Sequence, residues 1–180
     1  TTAGFSISTY TGTGSAGTIG HGLGVAPKFI IIKERGGNEH WMVYHNKNTS
    51  EPETEYLQLY QDSATADYPV FNDTAPTSSV FSIGTDSSTS TSGDTYVAYC
   101  FAEKQGYSKF GSYVGNGSTN PVSVLCGFKP AFIFIKESSG TGNWVMQDNK
   151  RIRDDLSDAN NGNMPQLYAN LANTEDTDPY

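Results

Sequence analysis

Residues 9–47 read TYTGTGSAGTIGHGLGVAPKFIIIKERGGNEHWMVYHNK, and residues 112–150 read SYVGNGSTNPVSVLCGFKPAFIFIKESSGTGNWVMQDNK. The two stretches align without a gap at a constant offset of 103 residues, and 15 of the 39 aligned positions are identical. The identical positions include turn glycines, a proline, a Lys-Glu pair and a tryptophan. Self-similarity at a fixed spacing predicts a duplicated structural unit of about a hundred residues.

Each stretch contains an apolar run that predicts a buried β-strand. Residues 29–32 (FIII) and 132–135 (FIFI) are apolar at every position. A strand of this kind is expected in the middle of a sheet, covered on both faces. A glycine-containing turn and a tryptophan-bearing strand follow each run, which predicts a β-hairpin.

Short β-branched and aromatic runs, separated by clusters of Gly, Pro, Ser and Thr, dominate the whole chain. The sequence therefore predicts an all-β protein, an antiparallel β-sandwich or jelly roll built from two copies of the repeat. The hydroxyl-rich stretch 85–93 is expected to be a solvated loop. The expected strands are 4–10, 28–34, 41–45, 56–60, 80–83, 96–103, 107–113, 122–125, 131–137, 144–147 and 166–169.

The repeat divides the chain into a first β unit, residues 1–104, and a second, residues 105–180. The second unit is incomplete, because strands 80–83 and 96–103 of the first have no counterpart in it. Three explanations remain open at this point. The natural polypeptide continues, the two copies share strands in one sandwich, or a neighbouring chain completes the fold.

Charge and cysteine content limit the possible partners. The net charge is −8, with 19 acidic and 11 basic residues, which argues against nucleic-acid binding. No apolar stretch approaches the ~20 residues of a membrane-spanning helix, so no membrane insertion is expected. Cys100 and Cys126 each lie in an apolar run and are expected as free thiols, with a disulfide as the alternative.

Several patterns suggest chemistry but have simpler interpretations. Residues 12–17 match G-x-G-x-x-G, yet no helix follows, so a tight turn is expected in place of a cofactor site. The acidic stretch 154–163 is expected to be a solvated loop, with calcium binding as the alternative. Glu34 and Glu137 form the one repeated carboxylate pair, and surface ion pairs with the adjacent lysines are expected in place of glycosidase chemistry.

The histidines carry no repeated site. His21, His40 and His45 are replaced in the second copy by Val, Asn and Asp, so surface or hydrogen-bonded histidines are expected. We therefore predict no catalytic residue, no metal site and no cofactor.

Aromatic residues are the best candidates for ligand binding, because exposed aromatic faces stack on sugar rings while amide and carboxylate groups bind hydroxyls. The alternative for a repeated tryptophan is a place in the core. The predicted ligand-binding residues are Trp41, Tyr44, Asn46, Trp144, Asp148 and Asn149.

Three long segments, residues 20–34, 72–118 and 142–150, closely resemble a repeat of unknown function in tail and virion proteins of marine bacteriophages, such as cyanophages. The most specific part is SGDTYVAYCFAE (92–103) followed by GYSKFGSYVGNGS (106–118). The resemblance covers nearly the whole chain, and it implies no catalytic residues.

This resemblance implies a non-enzymatic structural protein of the virion, such as a tail-fibre module. Its expected role is attachment to a host-receptor glycan or assembly with other virion subunits, as a homo-oligomer. Two alternatives are a carbohydrate-binding module of a secreted enzyme and a repeat subunit of an extracellular bacterial fibre.

Overall fold

A computed structural model describes residues 3–117, 122–151 and 165–175. The described chain is almost entirely β, which confirms the predicted fold class. The strands are β1 (Phe5–Thr11), β2 (Gly17–Gly20), β3 (Phe29–Glu34), β4 (Met42–His45), β5 (Glu55–Gln58), β6 (Ala66–Asp67), β7 (Val80–Ile83), β8 (Thr95–Phe101), β9 (Phe132–Ile135), β10 (Val145–Asp148) and β11 (Leu167–Tyr168), and one short helix, α1 (Ser87–Ser90), precedes β8.

The main sheet has six strands in the order β1-β8-β3-β4-β5-β6. The pairs are antiparallel. β3 lies in the middle, and its alternating side chains point to opposite faces. Ile30 and Ile32 belong to the core on one face, while Phe29 and Ile31 pack into the core on the other. The prediction that this strand is central and doubly covered is confirmed.

The larger core lies between the main sheet and a two-stranded ribbon formed by β2 and β7. Val70 and Phe71, on the connection before β7, are buried there together with residues of β3, β4 and β8. The rings of Tyr10 and Tyr96 stack at 5.1 Å between centroids. This layer shields one face of β3 and β8 from water.

The smaller core lies on the opposite face of the main sheet, where a three-stranded sheet in the order β11-β10-β9 packs. Trp144 is buried between the sheets, against Phe134 of β9 at 4.9 Å between ring centroids. The indole Nε1 of Trp144 donates a hydrogen bond of 2.9 Å to the carbonyl of Gln58 in β5. This contact joins the N-terminal and C-terminal parts of the chain into layers of one sandwich.

The β3–β4 and β9–β10 hairpins have the same register. In the first, Phe29 pairs with His45; in the second, Phe132 pairs with Asp148, and the three other residue pairs are likewise 103 positions apart. The hydrogen bonds that close the hairpins also correspond, with the amide of Asn46 donating to the carbonyl of Lys28 at 2.9 Å and the amide of Asn149 to the carbonyl of Ala131 at 3.0 Å.

Three expectations for the C-terminal half are wrong. Residues 107–113 and 122–125 form no strand, apart from one isolated bridge between Lys104 and Ser108. β9 forms an edge of its sheet, although it was expected to be central. Its Phe132 is 57 % exposed, because within the described residues no strand lies beside β9 on the side away from β10.

The expectation of a solvated loop at 85–93 is wrong for the middle of the segment. Ser87–Ser90 form α1, in which Ser88, Thr89 and Ser90 are buried, whereas Ser92 and Gly93 are exposed. Asp86 caps the helix by accepting a hydrogen bond of 2.8 Å from the amide of Ser88. A polar segment is stable in the interior when its hydrogen bonds are satisfied, as they are here by the 2.8 Å bond from the Ser90 hydroxyl to the carbonyl of Ser15.

Candidate functional site

The β3–β4 turn and the end of β5 form an open cleft of about 300 Å³. Aromatic and polar side chains share its walls, which is the combination that orients small polar ligands. The lining residues are Lys33, Gly37, Asn38, Glu39, His40, Trp41 and Tyr60.

Two rings on one side of the cleft are stacked. His40 and Tyr60 have ring centroids 4.9 Å apart and an interplanar angle of 12°. The hydroxyl of Tyr60 accepts a hydrogen bond of 2.6 Å from Nε2 of Gln61. Burial, with a smaller contribution from Tyr56, raises the pKa of Tyr60, so its hydroxyl is a neutral donor at physiological pH.

Glu34 holds the turn that forms the rest of the cleft. It is 6 % exposed, and its Oε2 accepts a hydrogen bond of 3.3 Å from the amide of Glu39. A Cβ at Gly37 would overlap the carboxylate of Glu34, so a larger residue there would displace that carboxylate. The expected surface ion pair does not form, since Nζ of Lys33 donates to the carbonyl of Gly37 at 3.1 Å.

The C-terminal hairpin has the same arrangement at its turn. A Cβ at Gly140 would overlap the carboxylate of Glu137, and Nζ of Lys136 donates to the carbonyls of Glu137 at 2.6 Å and Asp62 at 3.1 Å. Here too the lysine bonds to backbone oxygens. The repeated Lys-Glu pair therefore shapes a turn in each hairpin.

The structure separates the three ligand-binding residues predicted in the first copy. Trp41 is half-buried and lines the cleft. Tyr44 is 4 % exposed and packs in the larger core against Phe71, and burial raises its pKa to about 12. Oδ1 of Asn46 is buried and has no hydrogen-bond partner among the described residues.

The three predicted in the second copy lie in different environments. Trp144 lies in the smaller core at 3 % exposure, just before β10, whereas Asp148 ends that strand. The carboxylate of Asp148 accepts a 2.8 Å bond from the amide of Lys150 and a 2.8 Å bond from Nε of Arg151, and these hydrogen bonds lower its pKa. Asn149 is exposed.

His40 and Tyr60 are among the six cleft residues that were not predicted as ligand-binding residues. Met42 of β4 pairs with Gln58 of β5 in an antiparallel register. Two residues further along this register, Tyr60 lies opposite His40. The amide of Leu59 donates to the carbonyl of Trp41 at 3.1 Å, which continues this ladder. Strand register was the missing signal, and it depends on a pairing that local sequence does not specify.

The glycine motif at 12–17 forms a turn, in agreement with the expectation. Gly14 has φ +73°, and a Cβ at Gly12 would overlap the carbonyl of Thr91. Gly17 is extended in β2 with open space beside it.

The histidines are surface or hydrogen-bonded residues, as expected. His21 is buried, its Nδ1 accepts from the amide of Leu23 at 3.2 Å and its Nε2 lies 3.2 Å from the carbonyl of Thr77. Within the described ranges, no three His, Cys, Asp or Glu residues are grouped so that they could hold a metal ion. The acidic stretch 154–163 lies outside the described residues.

Both cysteines are free; Cys100 is buried and Cys126 is partly exposed. Burial raises the pKa of Cys100 to about 12. In the described part of the chain, no helix has the length and apolar character needed to cross a bilayer.

Comparison with curated proteins and with solved structures found no match to either. Comparison with protein families found one model, which spans residues 1–179 and therefore includes both halves of the chain. The protein belongs to the family described as a domain of unknown function (DUF7483).

Proposed function

We propose that this protein is a non-enzymatic structural module of a bacteriophage virion, such as a tail-fibre module, and that the cleft beside Trp41 binds a host-surface glycan. The observation that carries the glycan part is the composition of the cleft. It combines an indole, a stacked His-Tyr pair and several hydrogen-bonding groups in an open depression. Apolar ring faces of sugars pack on aromatic side chains, while hydroxyls need polar partners beside them.

The polar lining fits a neutral, hydroxyl-rich ligand. Asn38 supplies both a donor and an acceptor, and Glu39 and Lys33 supply one charge of each sign. The cleft is open to solvent, as a site must be if it binds one sugar unit of a larger surface polymer.

The virion part of the proposal is supported by the sequence. The chain resembles repeats of marine phage tail and virion proteins, and its low content of charged residues, 17 %, suits an extracellular particle. The matching registers of the β3–β4 and β9–β10 hairpins support two copies of one unit, the first at residues 1–104 and the second at 105–180. A duplicated β unit is typical of modular, fibrous assemblies.

The lack of enzymatic activity is proposed from the same duplication. His21, His40 and His45 have no histidine counterpart 103 residues further on, whereas the repeated residues shape turns and strands. Assembly with other virion subunits, as a homo-oligomer, is part of this proposal. A carbohydrate-binding module of a secreted enzyme and a repeat subunit of a bacterial fibre are the alternatives.

A glycan array followed by fluorescence titration tests the proposal. The chain has two tryptophans, so a Trp144→Phe variant leaves Trp41, at the cleft, as its single tryptophan fluorophore. We expect a sugar that binds on the array to shift the emission of Trp41. Binding of that sugar should be lost in the Trp41→Ala and Tyr60→Ala variants. Tyr107→Ala, which removes an exposed tyrosine remote in sequence, should retain binding. An array without hits, together with unchanged Trp41 emission, would contradict glycan binding.

A further inference from the structure

The cleft has a structural counterpart in the C-terminal hairpin. Residues 33–41, called here the first turn, and residues 136–144, the second turn, have the same length and align at the offset of 103 residues. Each begins with Lys-Glu, and in each a Cβ on the central glycine, Gly37 or Gly140, would overlap the glutamate carboxylate. Since the flanking strands also pair in the same register, contacts made by one turn indicate what the other is able to bind.

The second turn holds a peptide carbonyl. Nζ of Lys136 donates a hydrogen bond of 3.1 Å to the carbonyl oxygen of Asp62, and the amide of Gly142 donates one of 2.9 Å to the same oxygen. The amide of Thr65, in the same loop, donates to the carbonyl of Ser138 at 2.9 Å. A lysine ammonium and a backbone amide together thus form a two-donor site for an amide oxygen.

The first turn carries the same two donor groups at the open cleft. Lys33 and Glu39 align with the two donors of the second turn, and both line the cleft. An ammonium has three N–H groups, and Lys33 donates one of them to the carbonyl of Gly37. The amide of Glu39 makes a long hydrogen bond of 3.3 Å to Oε2 of Glu34, and an N–H group is able to share two acceptors. Both groups are therefore able to donate to an oxygen of a ligand.

The strand that follows each hairpin is also in an equivalent place. The amide of Leu59 donates to the carbonyl of Trp41 at 3.1 Å, and the amide of Ala169 donates to the carbonyl of Trp144 at 3.0 Å. Residue 60 in the first unit and residue 170 in the second are therefore equivalent positions.

These equivalent positions give the two turns different walls. The first turn has the stacked rings of His40 and Tyr60 beside it. The second has Asn143 and Asn170 instead, and Nδ2 of Asn170 donates to Oδ1 of Asn143 at 2.8 Å. Amide side chains accompany the bound peptide loop at the second turn. The aromatic rings at the first turn offer a surface for the apolar face of a sugar ring.

We propose that the cleft binds a sugar with an N-acetylamino group, whose amide oxygen accepts hydrogen bonds from Nζ of Lys33 and the amide of Glu39 while the ring lies against the aromatic wall. The acetamido carbonyl has the same chemistry as the peptide carbonyl that the second turn holds. The carboxylates of Glu34 and Glu39 beside the donors disfavour an anionic sugar, since like charges repel. This inference rests on the proposed glycan site and specifies the class of sugar that the site takes.

Titration of the 180-residue chain with two matched trisaccharides tests the inference. N,N′,N″-triacetylchitotriose and cellotriose have the same β-1,4-linked rings and differ in the substituent at C2, which is acetamido in one and hydroxyl in the other. Emission of Trp41 in the Trp144→Phe variant reports binding. We expect cellotriose to bind about tenfold or more weakly, because two hydrogen bonds are lost, one of them from a charged group. N-acetylgalactosamine and galactose provide the same comparison for the epimeric ring.

Lysine variants test whether the preference arises at the first turn. Lys33→Met should bring the two affinities to within about threefold, because it removes the charged donor. Lys33→Arg, which retains the charge and N–H donors, should recover the preference. Lys47→Met, beyond the other end of β4, is the matched control and should keep the wild-type ratio. Circular dichroism should show that each variant is folded.

Equal affinities for the acetylated and non-acetylated sugars would overturn the inference and leave glycan binding in place. A preference that persists in Lys33→Met, or tighter binding of a glucuronic acid oligosaccharide than of triacetylchitotriose, would also overturn it. So would tighter binding of a peptide of residues 61–66, QDSATA, which would favour a protein loop as the ligand. Absence of binding to any sugar would contradict both this inference and the proposed glycan site.

Discussion

At the scale of single residues, Trp41 and Trp144 show how position decides the role of a side chain. They align in sequence at an offset of 103 residues, yet Trp41 lines an open cleft and Trp144 is buried between two sheets. The difference lies in what covers them. The C-terminal sheet places its tryptophan against the main sheet, where the indole bonds to Gln58.

This difference predicts unequal effects on stability. Trp144→Ala should lower the free energy of unfolding by about 3–5 kcal/mol, since it removes a large buried ring. Trp41→Ala, the matched change at the surface, should cost about 1 kcal/mol or less. Urea denaturation followed by circular dichroism measures both, and equal losses would contradict the placement of Trp144.

The two thiols should differ in reactivity. Burial raises the pKa of Cys100 to about 12 and keeps reagents away from it, whereas Cys126 is partly exposed. Ellman's reagent should therefore titrate one thiol in the native protein and two in denaturant. Cys126→Ser should abolish the native reaction, and a fast reaction in that variant would show that Cys100 is accessible.

His45 should make stability depend on pH. Burial beside Phe29 and Phe110 lowers the pKa of His45 below its usual value of about 6.5. Its Nδ1 accepts a hydrogen bond from the amide of Lys47, which requires a neutral ring. The unfolded chain then binds the proton more readily than the folded one. The stabilisation is present above pH 6.5 and is lost as the pH falls from there through the folded-state pKa.

Urea denaturation at pH 7.5 and at pH 5.5 measures this dependence. His45→Gln should lose less stability on acidification than the wild-type protein. His40→Gln should keep the wild-type dependence, because His45 is still present. An unchanged pH dependence in His45→Gln would exclude His45 as its source.

At the scale of elements, local pattern predicted strands well where their partners are present. Strand 80–83 was predicted at its observed bounds, and residues 29–34 were correctly expected in the middle of a sheet. The nearly identical run at 132–135 forms an edge, because pairing depends on distant segments that local sequence does not report. The expected strand at 107–113 was wrong for the same reason. Its counterpart β1 pairs with β8, and the described residues contain no second strand of that kind.

Helix α1 was missed for a different reason. Its residues are Ser and Thr, which favour loops in isolation. Here the hydroxyl of Tyr96 donates to the carbonyl of Ser87 at 2.7 Å, and Tyr10 donates to the carbonyl of Thr89 at 2.9 Å. These tertiary bonds compensate for burial of a polar segment.

Only one of the predicted ligand-binding residues, Trp41, lines the cleft, because the cleft is assembled by the register of β4 and β5.

The β1–β2 turn gives a prediction at this scale. Gly12→Ala should destabilise the protein by about 1–3 kcal/mol, since the added methyl overlaps the backbone of Thr91. Gly17→Ala, in the same motif, adds a methyl to open space and should change stability by less than about 0.5 kcal/mol. Thermal unfolding compares the two, and equal effects would contradict the packing of the turn against the segment after α1.

At the scale of the whole molecule, the main sheet is covered on both faces, by the β2–β7 ribbon on one side and by the C-terminal sheet on the other. Ile31 and Phe134, which align at the offset of 103 residues, both pack against the smaller core. Among the described residues, β3 is paired on both edges, by β8 and β4, whereas β9 is paired on one edge, by β10.

Native-state hydrogen exchange of the chain alone tests this claim most directly. It compares segments that the alignment makes equivalent, β1 with 107–113 and β3 with β9, within one molecule. The account predicts slow exchange in β1 and β3, faster exchange in 107–113 than in β1, and incomplete protection of β9. Equal protection of β1 and 107–113 would mean that residues 107–113 are paired in a sheet, and would contradict the account.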